Sequence, residues 1–166
     1  NIKFYSMEGG IVFSRHDLPV ITLPITEADQ NGIILIPGGV GIKNILADQA
    51  KMDKIKQTVQ KSSFCLTVST GSAILAQTGL LENKKAASNQ RLVNTLKNIN
   101  DKVNWVAKAR WVGDGKYYTA SGISAGIDMA LGFIAGYFSV EKAKEVAKYL
   151  EYNWRETSAD APLSAD

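Results

Sequence analysis

The sequence predicts an α/β fold in which a mainly parallel sheet carries helices on both faces. Along the 166 residues, short apolar runs of strand-like composition alternate with stretches of helical periodicity. Two of these runs, 32–36 and 64–68, are mostly apolar, as expected of parallel strands that are covered on both sides. Each leads through a turn into a helical pattern, which is the order of elements in a βα unit. This alternation predicts a doubly wound sheet, whose ligands bind at the carboxyl ends of the strands.

Length, charge and cysteine content narrow the possible functions. We expect one domain at 1–156 and a loose polar tail at 157–166. The net charge of +3 is spread along the chain without a basic block, so nucleic-acid binding is not indicated. The one cysteine forms no internal disulfide, and no apolar run reaches the roughly 18 residues of a membrane span. A cytoplasmic protein without membrane contact is therefore expected.

The first 23 residues are predicted to form a strand, followed by a hairpin at the edge of the sheet. Alternating apolar residues at 2–6 indicate a strand, and 10–13 and 20–23 indicate a hairpin around the polar turn 14–17. The turn holds the single histidine, His16. Because no second histidine or cysteine is close in sequence, His16 is interpreted as a solvated turn residue, and we expect neither a metal nor a cofactor.

The strand at 32–36 is followed by a glycine-rich turn and by apolar residues at helical spacing over 42–59. The turn is not a phosphate loop, because no Gly-Lys-Ser/Thr follows, and it lacks the third glycine of a dinucleotide-binding fingerprint. Two uses of Gly38 and Gly39 remain open. They allow a tight turn with positive φ, or they bring backbone N–H groups close to a ligand or an oxyanion.

The second βα unit, 64–81, organises the rest of the chain. Its strand turns at Ser69 into a helix that opens with Thr70 and Gly71. Ser69 is either an ordinary helix N-cap or a nucleophile raised above the carboxyl end of the sheet. The elbow pattern Gly-x-Ser-x-Gly is half present, since Gly71 follows the serine but Thr67 replaces the earlier glycine.

The elements that follow continue the α/β alternation. We expect a short strand at 85–88, a helix from Asn89 to Ile99, strand pieces at 103–106, 109–112 and 117–120, a helix at 125–138 and an amphipathic helix at 140–154. The helix at 125–138 is expected to be largely buried because almost all of its residues are apolar.

Three motifs in this order, ILIPGG, TVSTGSAILAQTGLL and ARWVGDGKYYTASGISAGIDMALGFI, resemble the ThiJ/PfpI superfamily, which is class I glutamine-amidotransferase-like. The resemblance is closest to the branch with isonitrile hydratase and amidase-like domains. It implies a flavodoxin-like three-layer sandwich, a small-molecule substrate or ligand, and a homodimer. It also places the nucleophile at Ser69, an oxyanion pocket at the backbone of Gly39 and Thr70, and Asn89 where many members carry a histidine.

Two departures limit what this resemblance implies. The elbow residue of the family is normally a reactive cysteine, and the chain begins at the position of the family's second strand, so the acidic partner expected on the first strand and helix has no counterpart here. A serine hydroxyl stays protonated at neutral pH and needs a positioned base, a role that neither His16 nor Asn89 fits. Cys65 lies inside the predicted strand and is expected to be buried and unreactive.

Three explanations of Ser69 stay open: a natural pseudoenzyme, a cysteine-to-serine substitution, or serine chemistry with an acid from the absent segment. Two functional classes follow. The first is an enzyme or former enzyme acting on a small electrophile such as an isonitrile or an amide, and the second is a binding or sensing module without turnover. A sheet without its first strand would leave the backbone N–H and C=O groups of the neighbouring strands unpaired and would expose a hydrophobic slot. We therefore expect the functional molecule to contain that strand.

Overall fold

The computed structural model describes residues 1–158. Its strands are β1 (Tyr5–Ser6), β2 (Gly10–Phe13), β3 (Pro19–Pro24), β4 (Ile33–Ile36), β5 (Phe64–Val68), β6 (Lys85–Ala86), β7 (Asn104–Trp105), β8 (Trp111–Asp114) and β9 (Tyr117–Ala120). Its α-helices are α1 (Ile42–Leu46), α2 (Gln49–Lys61), α3 (Gly71–Gln77), α4 (Val93–Ile99), α5 (Ile123–Tyr137) and α6 (Val140–Tyr149), and short 3-10 helices lie at Ile25–Glu27 and Gln90–Leu92.

The central sheet has the strand order β4-β5-β9-β8. Strands β4, β5 and β9 are parallel, and β8 joins the edge in antiparallel orientation. Side chains alternate along β5, so Cys65 faces a core packed with α2 and α3, whereas Leu66 faces a second core under α5. The predicted α/β fold with a mainly parallel sheet and helices on both faces is confirmed.

The helix expected over 42–59 is in fact two helices. Asp48 interrupts it with an extended backbone, and its carboxylate accepts a hydrogen bond from the Lys51 N–H at 3.2 Å, which makes it the N-cap of α2. Met52, Ile55 and Val59 then bury one face of α2, at the spacing that the sequence indicates.

The apolar helix α5 packs very closely on the sheet. A Cβ added at Gly132 would lie 2.4 Å from the Trp111 ring, and one at Gly126 would lie 3.0 Å from Val68. The expectation that the helix is largely buried holds for one face only, because Ile127 and Tyr137 are 41% and 55% exposed. No helix within residues 1–158 is long and apolar enough to cross a bilayer.

The C-terminal helix is shorter than the predicted 140–154. It ends at Tyr149, and Glu151 has a positive φ of 50° that α-helix does not allow. Trp154 therefore lies beyond the helix, where its indole N–H donates to the Asp128 carbonyl at 3.3 Å. Most of the tail predicted at 157–166 lies outside the described residues. At its start, the Ser158 carbonyl accepts a hydrogen bond from the Arg110 N–H at 2.9 Å.

The hairpin does not lie at the edge of the central sheet, as expected, because the N-terminal strands form a separate small sheet of order β1-β3-β2. The hairpin expected around His16 is present, with β2 antiparallel to β3. The strand expected over 2–6 is limited to its last two residues, which pair in parallel with β3. Strand β1 ends this sheet and strand β4 ends the central sheet, so each has one edge that pairs with no strand of residues 1–158. The turn between β8 and β9 is also tighter than expected, because Gly113 and Asp114 belong to β8.

Candidate active site at the β5–α3 elbow

Ser69 lies at a sharp turn between β5 and α3. Its φ is +55°, a left-handed conformation that residues other than glycine adopt at some energetic cost. Its backbone N–H donates to the Ala120 carbonyl at 2.8 Å, which extends the β5–β9 ladder by one bond and fixes the corner at the carboxyl end of the sheet. The side chain makes no capping hydrogen bond to α3, whose N-cap position is Thr70. Ser69 is therefore not an N-cap, and its strained backbone is of the kind that nucleophile elbows use.

The glycine-rich turn after β4 packs directly against this elbow. A Cβ at Gly38 would lie 2.7 Å from the Val68 carbonyl oxygen and 3.0 Å from the Thr70 nitrogen. A Cβ at Gly71 would lie 2.5 Å from the Ile36 carbonyl oxygen. These contacts allow only glycine at both positions without a backbone shift, so the two βα units meet through their main chains.

The backbone N–H of Gly39 donates to the Thr70 hydroxyl oxygen at 3.0 Å. Gly39 also has a positive φ of 137°, so the tight-turn interpretation of this loop holds. An anionic ligand oxygen would have to displace the Thr70 hydroxyl to receive the same N–H. The structure thus brings Gly39, Thr70 and Ser69 to one corner, with the Gly39 donor already occupied by a protein oxygen.

Two buried hydroxyl groups hydrogen-bond to the main chain of the elbow. The sequence did not predict this feature. The Ser69 carbonyl oxygen accepts hydrogen bonds from the Ser72 and Ser88 hydroxyl groups, each at 3.0 Å. Both serines are buried, Ser72 completely and Ser88 at 4% exposure. The only sequence signals for this arrangement are a serine in the apolar stretch that follows the elbow and a serine directly after two alanines, and neither is specific.

Among the described residues, the side chains of Asn89 and His16 make no hydrogen bond to Ser69. The Asn89 side-chain oxygen accepts from the Arg91 N–H at 3.1 Å, so this residue caps the turn before α4. His16 is exposed in the hairpin turn between β2 and β3. Among residues 1–158, no hydrogen bond joins the Ser69 hydroxyl to an imidazole or a carboxylate. Within the same residues, no group of three or more His, Cys, Asp or Glu side chains is placed to hold a metal ion.

Cys65 lies inside β5 and is completely buried. Burial raises the pKa of its thiol to about 12, an effect that the nearby Lys116 charge opposes only in part. At neutral pH the group is therefore a protonated thiol in a packed core, and it is not an alternative nucleophile.

A large groove of about 1040 Å³ begins beside this corner, at Pro37 and Gly38, and runs between β4 and the N-terminal residues 1–7. Most of its walls are aliphatic, including Ile36, Ile42 and Ile74.

Comparison with known proteins places this geometry in a family. Residues 6–136 match the DJ-1/PfpI family. The isonitrile hydratase of Pseudomonas putida is 34% identical over 123 residues, which are 72% of this chain and 51% of that protein, so the chain spans about half the length of this curated relative.

Solved structures show the same fold. The crystal structure of a ThiJ/PfpI family protein from Pseudomonas syringae superposes with a TM-score of 0.80 and 22% identity, over 99% of this chain and 71% of the other. The crystal structure of Drosophila melanogaster DJ-1beta gives a TM-score of 0.73 and 21% identity, over 88% and 79% of the two chains. With a family match over most of its length and the elbow between β5 and α3, this chain belongs to the DJ-1/PfpI family.

Proposed function

We propose that this chain is an isonitrile hydratase-like domain that binds a small neutral electrophile at the Ser69 elbow and has lost thiol catalysis. The observation that carries the proposal is the left-handed Ser69 backbone, which the Ala120, Ser72 and Ser88 hydrogen bonds hold in place. Strain of this kind persists where the surrounding structure enforces it, and it is concentrated at functional sites. Similarity to isonitrile hydratase supports a substrate with an isonitrile or amide-like carbon.

The residue type at the elbow decides the chemistry. A thiol has an ordinary pKa near 8.5 and supplies a useful fraction of thiolate at neutral pH, whereas a serine hydroxyl needs a base to take its proton. Among residues 1–158, no imidazole or carboxylate is hydrogen-bonded to the Ser69 hydroxyl. Serine in place of the cysteine implied by the family resemblance therefore leaves a site that binds without reacting.

The test compares the protein with its Ser69→Cys variant, using an isonitrile and a simple amide as substrates. Hydration of the isonitrile adds one water and yields the N-substituted formamide, which is followed by chromatography. Ser63→Cys is the matched control, because Ser63 is an exposed serine at the opposite end of β5. We expect formamide from Ser69→Cys only. Comparable turnover by the unmodified protein would show that the site has its own base and would overturn the proposal.

A second candidate function is a non-reactive binding or sensing module. It is favoured by the hydrogen bond from the Gly39 N–H to Thr70, since the donor expected to stabilise an oxyanion is already in use. If this function is correct, the formamide product binds in calorimetry to both the Ser69 and the Ser69→Cys forms, and neither form turns over the isonitrile.

We propose further that the functional form is a cytoplasmic homodimer. The family resemblance supports this assembly, and so do the exposed apolar side chains of the β2–β3 hairpin, among them Ile11, Phe13 and Ile21. Sedimentation at micromolar concentration should give twice the chain mass, and a monomer throughout would contradict the dimer without affecting the elbow.

A further inference from the structure

Asn31 and Gly32 form the only asparagine-glycine pair of the sequence, and they lie at the turn that precedes β4. Asn31 has a positive φ of 63°, a left-handed conformation that asparagine adopts more readily than most residues. Asn31 is exposed, and among residues 1–158 its side-chain amide has no hydrogen-bond partner. The carbon of this amide is therefore accessible to a nucleophile.

The backbone nitrogen of Gly32 is the nucleophile next to this carbon in the chain. Its N–H donates to the Asp29 carbonyl over 3.4 Å, which is longer than a typical N–H···O hydrogen bond. Glycine has no Cβ, so the nitrogen is not shielded and the backbone can rotate toward the Asn31 side chain. An unbonded amide carbon and a weakly held nitrogen are thus adjacent, which favours closure of a cyclic imide.

We propose that Asn31 is a site of spontaneous deamidation, and that its isoaspartate form loosens the start of β4. The Gly32 nitrogen forms a bond to the Asn31 side-chain carbon and loses its proton, and ammonia leaves, which gives the cyclic imide. Water then adds to one of the two imide carbonyl groups and opens the ring. Opening at the side-chain carbonyl gives aspartate. Opening at the main-chain carbonyl gives isoaspartate, in which the backbone runs through the former side chain.

Asn83 provides a comparison within the same protein. Its φ of 62° is nearly that of Asn31, and it is also exposed in a turn. The next residue is Lys84, which carries a Cβ and whose N–H donates to the Leu81 carbonyl at 2.9 Å. Because this nitrogen is both shielded and hydrogen-bonded, Asn83 should convert far more slowly than Asn31.

Isoaspartate at position 31 lengthens the main chain between two anchors. The Asn31 N–H donates to the Lys61 carbonyl at 2.9 Å, and the Gly32 carbonyl accepts from the Ser63 N–H at 2.9 Å. Between them, the Asn31 carbonyl accepts from the Ser63 hydroxyl at 2.8 Å. Isoaspartate adds one carbon atom to the main chain here and turns this carbonyl into a free carboxylate. The bonds that join the start of β4 to the connection between α2 and β5 therefore cannot all be kept.

The effect should be greatest at the amino end of the β4–β5 ladder. This ladder begins one residue after Gly32, at the pair Ile33 and Phe64. Its other end leads into the glycine-rich turn that packs on the elbow. The proposal does not depend on any chemistry at Ser69, so its test is independent of the proposed function.

The first test incubates the 166-residue protein in mildly alkaline buffer and follows each asparagine by peptide mapping with mass spectrometry. An isoaspartate methyltransferase with labelled S-adenosylmethionine detects the isoaspartate product. Conversion should be at least about tenfold faster at Asn31 than at Asn83, because only Asn31 precedes a glycine. The rate should rise with pH, since the deprotonated amide nitrogen is the attacking form. A rate at Asn31 no greater than that at Asn83 overturns the proposal.

Two variants each remove one of the reacting groups. Gly32→Ala adds a Cβ that would lie 3.2 Å from the Asp29 carbonyl oxygen, and the more restricted backbone should slow conversion at Asn31 by at least about tenfold. Asn31→Gly removes the side-chain amide and keeps a residue that suits the positive φ, so this peptide should gain no negative charge. Unchanged conversion in Gly32→Ala would exclude the Gly32 nitrogen as the nucleophile and overturn the proposal.

Asn31→Asp separates the effect of charge from that of the longer main chain. It gains the negative charge of the isoaspartate form, but its backbone keeps the original number of atoms. Amides at the start of β4 should exchange hydrogen at least about tenfold faster in the isoaspartate form, purified by chromatography, than in Asn31→Asp. The isoaspartate form should also melt at the lower temperature. Equal exchange in the two proteins would overturn the second half of the proposal.

Discussion

Replacing Gly71 by alanine tests the contact between the two βα units. The added Cβ would lie 2.5 Å from the Ile36 carbonyl oxygen and 2.9 Å from that of Pro37. Both atoms belong to the backbone, so no side-chain rotation relieves the clash, and we expect a loss near the upper end of the usual overpacking cost, about 3 kcal/mol. For a chain of this size that loss lowers the melting temperature by about 6–12 °C.

Gly41→Ala is the control in the same turn. No atom lies within 4 Å of a Cβ at Gly41, and its φ and ψ of −66° and −14° suit alanine. This variant should be unchanged or up to about 1 kcal/mol more stable, because alanine restricts the unfolded chain. Thermal and urea unfolding, followed by circular dichroism, measure both variants. If Gly71→Ala unfolds at the same temperature as Gly41→Ala, the backbones of β4 and α3 do not make this close contact.

Two further predictions concern charged groups outside the elbow. Asp128 is completely buried and accepts hydrogen bonds from Arg110, Tyr152 and the Arg155 N–H. Asp128→Asn leaves Arg110 without its counter-charge, so it should lower the free energy of unfolding, measured in urea, by about 3–5 kcal/mol. The double variant Arg110→Met/Asp128→Leu should recover part of that loss, and a double variant as unstable as Asp128→Asn would argue against a charge effect. The Lys85 backbone N–H donates a hydrogen bond to Asp114 and is the main group that holds the pKa of this carboxyl below its ordinary value. The ionised Asp114 carboxylate therefore stabilises the fold above about pH 4, and this stabilisation is lost as the pH falls further. Asp114→Asn should therefore be less stable than the unmodified protein at pH 7 and should lose less stability between about pH 5 and pH 2. Parallel plots of unfolding free energy against pH for the two proteins would refute this linkage.

The sequence predicted the elbow well because its signals are local. The composition of Phe64–Val68 specifies a buried strand, and the structure gives those strand bounds. The break at Asp48 was missed, although aspartate is a common N-cap, because apolar periodicity continues across it. The spacing of apolar residues indicates which face of a helix is buried, but it does not show where one helix ends and another begins in a new direction.

Features that depend on distant residues could not be predicted. The sequence shows Asp128 as one charge in an apolar helix, whereas in the fold it binds groups 18 to 27 residues away. Lys116 similarly donates to three carbonyl oxygens at the end of α2, at 2.7 to 3.1 Å and across at least 54 residues. Such pairings follow from the topology of the sheet, which no short window contains.

Alkylation of Ser69→Cys tests the central claim most directly, that residue 69 presents its side chain at an accessible nucleophile position. The native Cys65 thiol, with a pKa of about 12, is ionised in about one molecule in 10⁴ at pH 8, whereas an ordinary accessible thiol is about one-quarter ionised. Iodoacetamide in native buffer, with peptide mapping by mass spectrometry, should modify the new thiol on the order of 10³-fold faster than Cys65, and both should react when the chain is unfolded. A thiol at position 69 that reacts as slowly as Cys65 in the native protein would show that the side chain is not accessible at the elbow.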